Sequence, residues 1–223
     1  MSILVFVFVA KNKYIIKLYM KFFNELKNNA HYDKKYGKIV SNDVLIDELK
    51  NLLLILTSIC NEKDIKIIIM HGSLIGWHFN KQILPYDNDI DVCILDEDII
   101  KFIKCDDIET EDYVIRVNPN FINRSHLDKD NKIDARIISK RCGVFIDITF
   151  LTITSNNDFY HCKSPHYYQK DLIIPLQKDT FENCTVYIPK LYKYCLFQEY
   201  GANVLKNNYK NWIFKNKKWT KNN

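Results

Sequence analysis

Apolar residues between positions 41 and 61 recur at helical spacing. Leu45, Leu49, Leu52, Leu56 and Ile59 form one stripe, and Ser41, Asn42 and Asp43 stand where an N-cap belongs. The pattern predicts a helix over 41–61. A short β-branched run from Ile65 to Met70, bounded by charge, predicts a buried strand. His71-Gly72-Ser73 breaks it, and a short helix is expected from Leu74 to Phe79. Asp89 to Leu95 alternates as a strand, and Asp96-Glu97-Asp98 then favour a helix N-terminus running to about Lys104. Further strands are predicted at Tyr113–Val117, Ala135–Ser139, Val144–Ile153 and Thr185–Ile188, with a polar loop from Asn118 to Lys132. Pro189 at a first helical position and Gly201 as a C-cap bracket a last helix carrying Leu191, Cys195, Leu196 and Tyr200. Helices and strands alternate without a strict βαβ rhythm. That favours an α+β fold, a mixed sheet covered by helices, over a doubly wound parallel sheet.

The two ends of the chain read differently. Residues 3–10 are an apolar run of eight, too short to span a bilayer and with no Lys or Arg before it, so neither a signal peptide nor a transmembrane helix is expected there. A buried strand is the reading, and a cytoplasmic location follows as the expectation. Residues 1–40 would be an extension packing on the core, 41–201 a catalytic domain, and 202–223 a basic, aromatic tail. Seven cysteines, odd in number and without a C-x-x-C pair, argue for reduced thiols and against a disulfide framework. His161-Cys162 with His166 has some ligand character, but no second cluster at ligand spacing stands beside it, so no structural zinc is expected.

Candidate chemistry concentrates in Asp87-Asn88-Asp89-Ile90-Asp91. In a strand, residues two apart share a face, so the three carboxylates point one way and Ile90 and Val92 point into the core. Carboxylates at that spacing repel unless a cation joins them, and two of them can converge on one hard divalent ion. Asp147 is a third acid, set in the middle of a strongly apolar strand, where it needs either a cation or a salt bridge to Lys or Arg. Gly72 and Ser73 follow a strand and precede a helix, a place where backbone N–H groups can receive a phosphate. Each signal alone is weak. Their order, Gly-Ser, then D-x-D, then a strand Asp, assembles the parts that phosphoryl transfer needs.

At these residues the sequence resembles the nucleotidyltransferase superfamily. Within it, the segment from Gly72 through Gly76-Trp77 and Ile83-Leu84-Pro85-Tyr86 to Asp89-Ile90-Asp91 is similar to the LicD/fukutin-related family. So are Cys142-Gly143-Val144-Phe145-Ile146-Asp147-Ile148 and the later block Pro175-Leu176, Phe181, Val186, Ile188-Pro189, Leu196 and Tyr200-Gly201. The resemblance implies a nucleotidyltransferase-like fold and a transferase moving phosphocholine or an alditol phosphate from a CDP-linked donor to a sugar hydroxyl of a glycan or glycoconjugate. It implies Mg²⁺ (or Mn²⁺) on Asp89, Asp91 and Asp147, with Asp87 a more variable member, and donor phosphate on Gly72 and Ser73. Where family members commonly carry an Arg, three residues after the second glycine of the loop, this chain has Phe79, with Lys81 two residues on.

Charge sharpens this picture. The formal net charge is +5, but residues 86–112 hold eleven acids and two lysines, while residues 203–223 hold six lysines and no acid. The tail interleaves its lysines with Tyr209, Trp212, Phe214 and Trp219, a pattern able to bind single-stranded nucleic acid or an anionic membrane. With 28 Lys against 4 Arg, and an abundance of Ile and Asn, coding bias accounts for much of the basic excess, so nucleic acid is not the expected partner. The rival readings are a nucleotidyltransferase that uses NTP on a small acceptor, an inactive family member, and a nucleic-acid-binding protein acting through the tail.

Overall fold

A computed structural model describes residues 32–33, 35–37, 40–125, 132–164, 166–209 and 211–222. The strand expected over residues 3–10, most of the expected N-terminal extension, and part of the 118–132 loop lie outside the described residues.

Helix α1 (Asn42–Glu62) starts where the Ser41 Oγ accepts the Val44 N–H at 3.5 Å. Its stripe buries Leu49, Leu52, Leu53, Leu56 and Cys60 completely. Each such leucine contributes roughly 1.5–3 kcal/mol of burial free energy. The helix packs against a sheet of nine strands: β1 (Ile68–Ile69), β2 (Asp91–Leu95), β3 (Tyr113–Val117), β4 (Ala135–Ser139), β5 (Phe145–Ile153), β6 (Phe159–His161), β7 (Tyr167–Gln169), β8 (Gln177–Phe181) and β9 (Cys184–Ile188). The order is β3-β4-β5-β2-β1-β9-β8, with β6 and β7 extending from β5. Pairs β2–β5 and β1–β9 are parallel and the others antiparallel, so the sheet is mixed and the fold is α+β. Four further helices accompany it: α2 (His71–Asn80), α3 (Asp96–Phe102), α4 (Lys170–Ile173) and α5 (Tyr192–Tyr200). A separate three-stranded antiparallel sheet closes the chain: β10 (Asn208–Tyr209), β11 (Trp212–Lys215) and β12 (Lys218–Lys221).

Strands β3 and β4 have the bounds read from the pattern, β5 and β9 differ by one residue at one end, and α1 is shifted by one residue at both. Elsewhere the structure corrects the reading. The run Ile65–Met70 is buried throughout apart from Lys66, yet only Ile68 and Ile69 pair as a strand. Helix α2 begins at His71, so Gly72 and Ser73 are its first turn and not a break before it. Strand β2 begins at Asp91, which leaves Asp87 and Asp89 in the extended approach to it. Helix α5 begins only at Tyr192, because the N–H groups of Lys190 and Leu191 donate to the Ile173 and Leu172 carbonyls and hold that stretch as a turn against α4. Strands β6, β7 and β8 have no counterpart in the predicted elements. The first two are three residues long, and β8 is an edge strand with most of its side chains in solvent.

All seven cysteines are free and buried, and burial pushes the Cys162 thiol up to about 11, away from thiolate chemistry. Among the described residues no helix is long and apolar enough to cross a membrane.

Candidate functional site

The site forms where β1, β2 and β5 meet the start of α2. In the parallel β2–β5 pair, Asp91 and Asp147 are register partners. They therefore sit side by side on one face, their backbones about 4.8 Å apart. Asp147 is also the partner of Arg136 on β4, and Arg136 is the partner of Arg116 on β3. The sheet thus carries a row of four charged residues, Asp91–Asp147–Arg136–Arg116, across four adjacent strands. Between them Ile90, Val92, Ile146 and Ile148 are fully buried, as the alternation requires.

Arg136 answers how an acid stands in the middle of an apolar strand. Its Nε donates to Asp147 Oδ1 at 2.5 Å and its Nη2 to Oδ2 at 3.4 Å. Its guanidinium lies 3.9 Å above the Phe145 ring centroid. The Arg136 side chain is 5% exposed and that of Asp147 21%, so the pair is sheltered but Asp147 keeps an open side. The salt-bridge alternative for Asp147 is therefore present in the structure, and it coexists with the approach of Asp91.

Asp87 and Asp89 complete the acidic cluster on the chain leading into β2. Burial pushes the Asp87 carboxyl up to about 8, helped by a hydrogen bond with Asp89 and by the charge of Asp89, and opposed by the Asn88 N–H. Asp91 rises to about 7, first through burial; the His71 cation opposes this, while Asp89, Asp147 and Glu199 add to it. Without a cation, then, Asp87 and Asp91 hold protons they would lose in water. The structure brings Asp87 to Asp89 and Asp91 to Asp147, but no three of these carboxylates have ligand atoms within 4.8 Å of one another, so a hard divalent ion would have to draw them together as it supplies the missing positive charge.

Helix α2 supplies the phosphate-facing part. Its first intrahelical bond runs from the Leu74 N–H to the Met70 carbonyl at 3.2 Å, so the N–H groups of His71, Gly72 and Ser73 precede the ladder. A Cβ on Gly72 would lie 3.1 Å from Asp87 Oδ2, so glycine lets the acidic cluster approach the helix start. Ser73 is more deeply placed than the sequence suggests. It is 4% exposed, and its Oγ accepts the Asp91 N–H at 3.0 Å. The hydroxyl therefore ties α2 to the first residue of β2.

His71 is not a lone turn residue. Its Nδ1 lies 2.7 Å from Glu199 Oε2, and Tyr168 donates its hydroxyl to Glu199 Oε1 at 2.6 Å. Burial opposes a charge on His71, but hydrogen bonds to Cys93 and Glu199 win and hold its pKa well above the usual histidine value. Sequence reasoning passed over Arg136, Glu199 and Tyr168, and weighed His166 only beside His161 and Cys162. A signal existed for Glu199: it stands four residues after Cys195 and three after Leu196, on the buried face of α5, where a free acid does not belong.

The position of the absent Arg is also resolved. Phe79 packs on Phe214 and Trp219 of the terminal sheet, with centroids 4.9 and 4.8 Å away. Tyr86 stacks on Tyr209 at 4.8 Å. The aromatic rings that interleave the tail lysines thus pack against α2 and the turn before Asp87. Lys81 does not replace the Arg; it pairs with Asp179 at 2.6 Å. His78 bonds the Tyr192 hydroxyl at 2.8 Å and Trp77 packs edge-on against the same ring, both packing roles.

A mixed sheet with acids side by side on a parallel strand pair, next to a Gly-Ser helix start, defines a nucleotidyltransferase-like fold. The family described as LicD/FKTN/FKRP, nucleotidyltransferase domain, matches residues 64–191, more than half of the chain, and the chain belongs to that family. The match runs from just before β1 through β9 and so includes every acid of the cluster. A search of curated proteins finds no match. Membership suggests a transferase of the phosphotransferase type that modifies glycans.

Proposed function

We propose that the protein is a metal-dependent phosphotransferase that moves phosphocholine or an alditol phosphate from a CDP-linked donor to a sugar hydroxyl of a glycan or glycoconjugate. The observation that carries this reading is the pairing of Asp91 with Asp147 across β2 and β5, beside the open N–H groups of α2. Asp89, Asp91 and Asp147, with Asp87 beside them, would hold Mg²⁺ (or Mn²⁺). Such an ion neutralises charge on a pyrophosphate donor and on the leaving nucleotide.

The chain's own residues do the rest. The N–H groups of Gly72 and Ser73 bind donor phosphate at the helix start. Arg136 holds both oxygens of Asp147 and fixes its orientation toward Asp91. The proton of the attacking hydroxyl goes to Asp147 or another nearby carboxylate. The phosphorus is attacked in line and the nucleoside monophosphate departs.

The test is turnover of CDP-choline and CDP-ribitol with Mg²⁺, with Mn²⁺ and with chelator, for wild type and Asp91→Asn. Metal-dependent turnover that the variant loses supports the reading. Turnover of NTP alone moves the protein to the nucleotide-adding alternative. Activity surviving in Asp91→Asn with any donor ends both.

A further inference from the structure

His71, His166 and Glu199 come from three distant parts of the chain. His71 opens α2, His166 precedes β7, and Glu199 is in the last turn of α5. One ligand atom from each lies within 4.8 Å of the others. The imidazole rings of His71 and His166 are 5.4 Å apart. Glu199 has a side chain only 2% exposed and His71 one 14% exposed, so two of the three donors are held out of bulk solvent.

Two features go beyond proximity. First, Glu199 is oriented from behind: the Tyr168 hydroxyl bonds Oε1, leaving Oε2 toward His71. An outer partner that fixes a ligating carboxylate in this way is what metal sites carry. Second, His71 has φ of +53°, an uncommon conformation for a residue with a side chain. That turn sets its ring against Glu199 and His166 instead of continuing the line of β1.

We propose that His71, His166 and Glu199 bind a divalent transition-metal ion of the zinc type, separate from the hard-ion site on the aspartates. Two imidazoles and one carboxylate form a borderline donor set that suits zinc and disfavours Mg²⁺. In a tetrahedral zinc site with bonds of about 2.0–2.1 Å, neighbouring ligand atoms lie roughly 3.3 Å apart. The present Nδ1–Oε2 separation of 2.7 Å is that of a hydrogen bond with a proton between the two atoms. Metal binding releases that proton to solvent, opens the pair slightly and draws in His166. The fourth position goes to water, since three protein ligands converge among the described residues. The ion would staple α5 and the segment before β7 to the first turn of α2, next to Gly72 and Ser73. Spacing along the sequence could not reveal it, because His166 and Glu199 are far from His71 in the chain. The inference stands whether or not the aspartates carry out phosphotransfer.

The experiment uses the whole chain. Purified protein is stripped with chelator, titrated with Zn²⁺ alone in excess Mg²⁺, dialysed and assayed for metal; Co²⁺ is then used for its visible spectrum. The expected result is one zinc per chain, a rise in Tm on adding Zn²⁺, and a tetrahedral Co²⁺ spectrum. His166→Ala, at a half-exposed position, should fold, lose the retained zinc and lose the Tm rise, while Asp91→Asn keeps both. If the stripped wild type retains no zinc, or if His166→Ala retains as much as wild type, the site does not exist. If Asp91→Asn loses zinc as fully as His166→Ala, the ion belongs to the aspartate cluster and the separate site is refuted.

Discussion

The ion pair between Arg136 and Asp147 gives the sharpest quantitative expectation. Arg136→Met keeps the length and apolar stem of the side chain but removes the guanidinium. It breaks a two-point contact of 2.5 and 3.4 Å and a cation–π contact of 3.9 Å. Removing one partner of a buried pair costs about 3–5 kcal/mol, because the other charge is left without compensation. Asp147 is 21% exposed, so water recovers part of that loss, and the lower end, about 3 kcal/mol, is the expectation. The cation–π contact, worth about 1 kcal/mol, is included in that figure. For a protein of this size about 3 kcal/mol lowers Tm by roughly 6–12 °C.

The measurement is urea unfolding of wild type, Arg136→Met, Asp147→Asn and the double variant, each with chelator and with saturating Mg²⁺. Without Mg²⁺ the cycle should give a coupling of about 2 kcal/mol, because the double variant no longer leaves a charge unpaired. With Mg²⁺, Arg136→Met should regain more stability than wild type does, since the ion replaces the missing positive charge beside Asp147. A coupling under about 0.5 kcal/mol, the ordinary scatter for independent sites, refutes the assigned ion pair. An equal Mg²⁺ effect on both proteins refutes the placement of the ion next to Asp147.

Stability without metal should fall as pH rises from about 4 to about 8. Asp87 and Asp91 are raised from 3.8 to about 8 and about 7, so the folded state holds more protons than the unfolded state across that window, and that stabilisation is lost as pH passes the folded values. Thermal melts in chelator should show the decline, and Mg²⁺ should flatten it. Asp91→Asn should raise Tm in chelator by removing a buried charge, while abolishing turnover of the CDP-linked donor; a lower Tm together with full activity contradicts the site. Gly76→Ala should destabilise by about 1–3 kcal/mol, because the added Cβ meets the Gln82 carbonyl oxygen at 2.3 Å; an unchanged urea midpoint contradicts that packing. Trp219→Ala should free the terminal sheet from Phe79 and Tyr86, read as faster proteolysis within residues 208–221 with the rest of the chain protected.

How much of this was legible in the sequence follows from which interactions are local. The apolar pattern placed β4 and β5, which lie within the sheet, and β3, an edge strand whose Val114, Ile115 and Val117 are nonetheless buried. The ordered acids identified the site region, because D-x-D and a strand Asp are expensive to leave without a use. What failed was whatever pairing decides. Only Ile68 and Ile69 of Ile65–Met70 enter the ladder as a strand, so a run of five apolar positions interrupted by Lys66 becomes a short strand. The acids were read as one strand face, but the ladder begins at Asp91, and Asp87 and Asp89 reach the cluster from the approach instead. Strand β8 is polar and buries only Phe181, so the apolar pattern carries no information there. Arg136 and Glu199 were invisible as partners because each meets its acid or histidine only through tertiary register. Arg136 is eleven residues from Asp147 and Glu199 is 128 from His71.

The substitution of Phe79 for a family arginine can now be read as a trade between two parts of the molecule. An Arg at that point of α2 would need a phosphate or a carboxylate nearby, and burying it without one is costly. Here the point is covered by Phe214 and Trp219, and a phenylalanine completes an aromatic cluster that also holds Tyr86 through Tyr209 and Trp219. The ring at this position and the aromatic terminal sheet therefore pack on each other. Asp147 takes its own cation from β4: Arg136 reaches it along the sheet. The bracing of the third acid and the covering of α2 are thus handled by different residues. Restoring Arg at 79 should accordingly loosen the terminal sheet without strengthening the hold on Asp147.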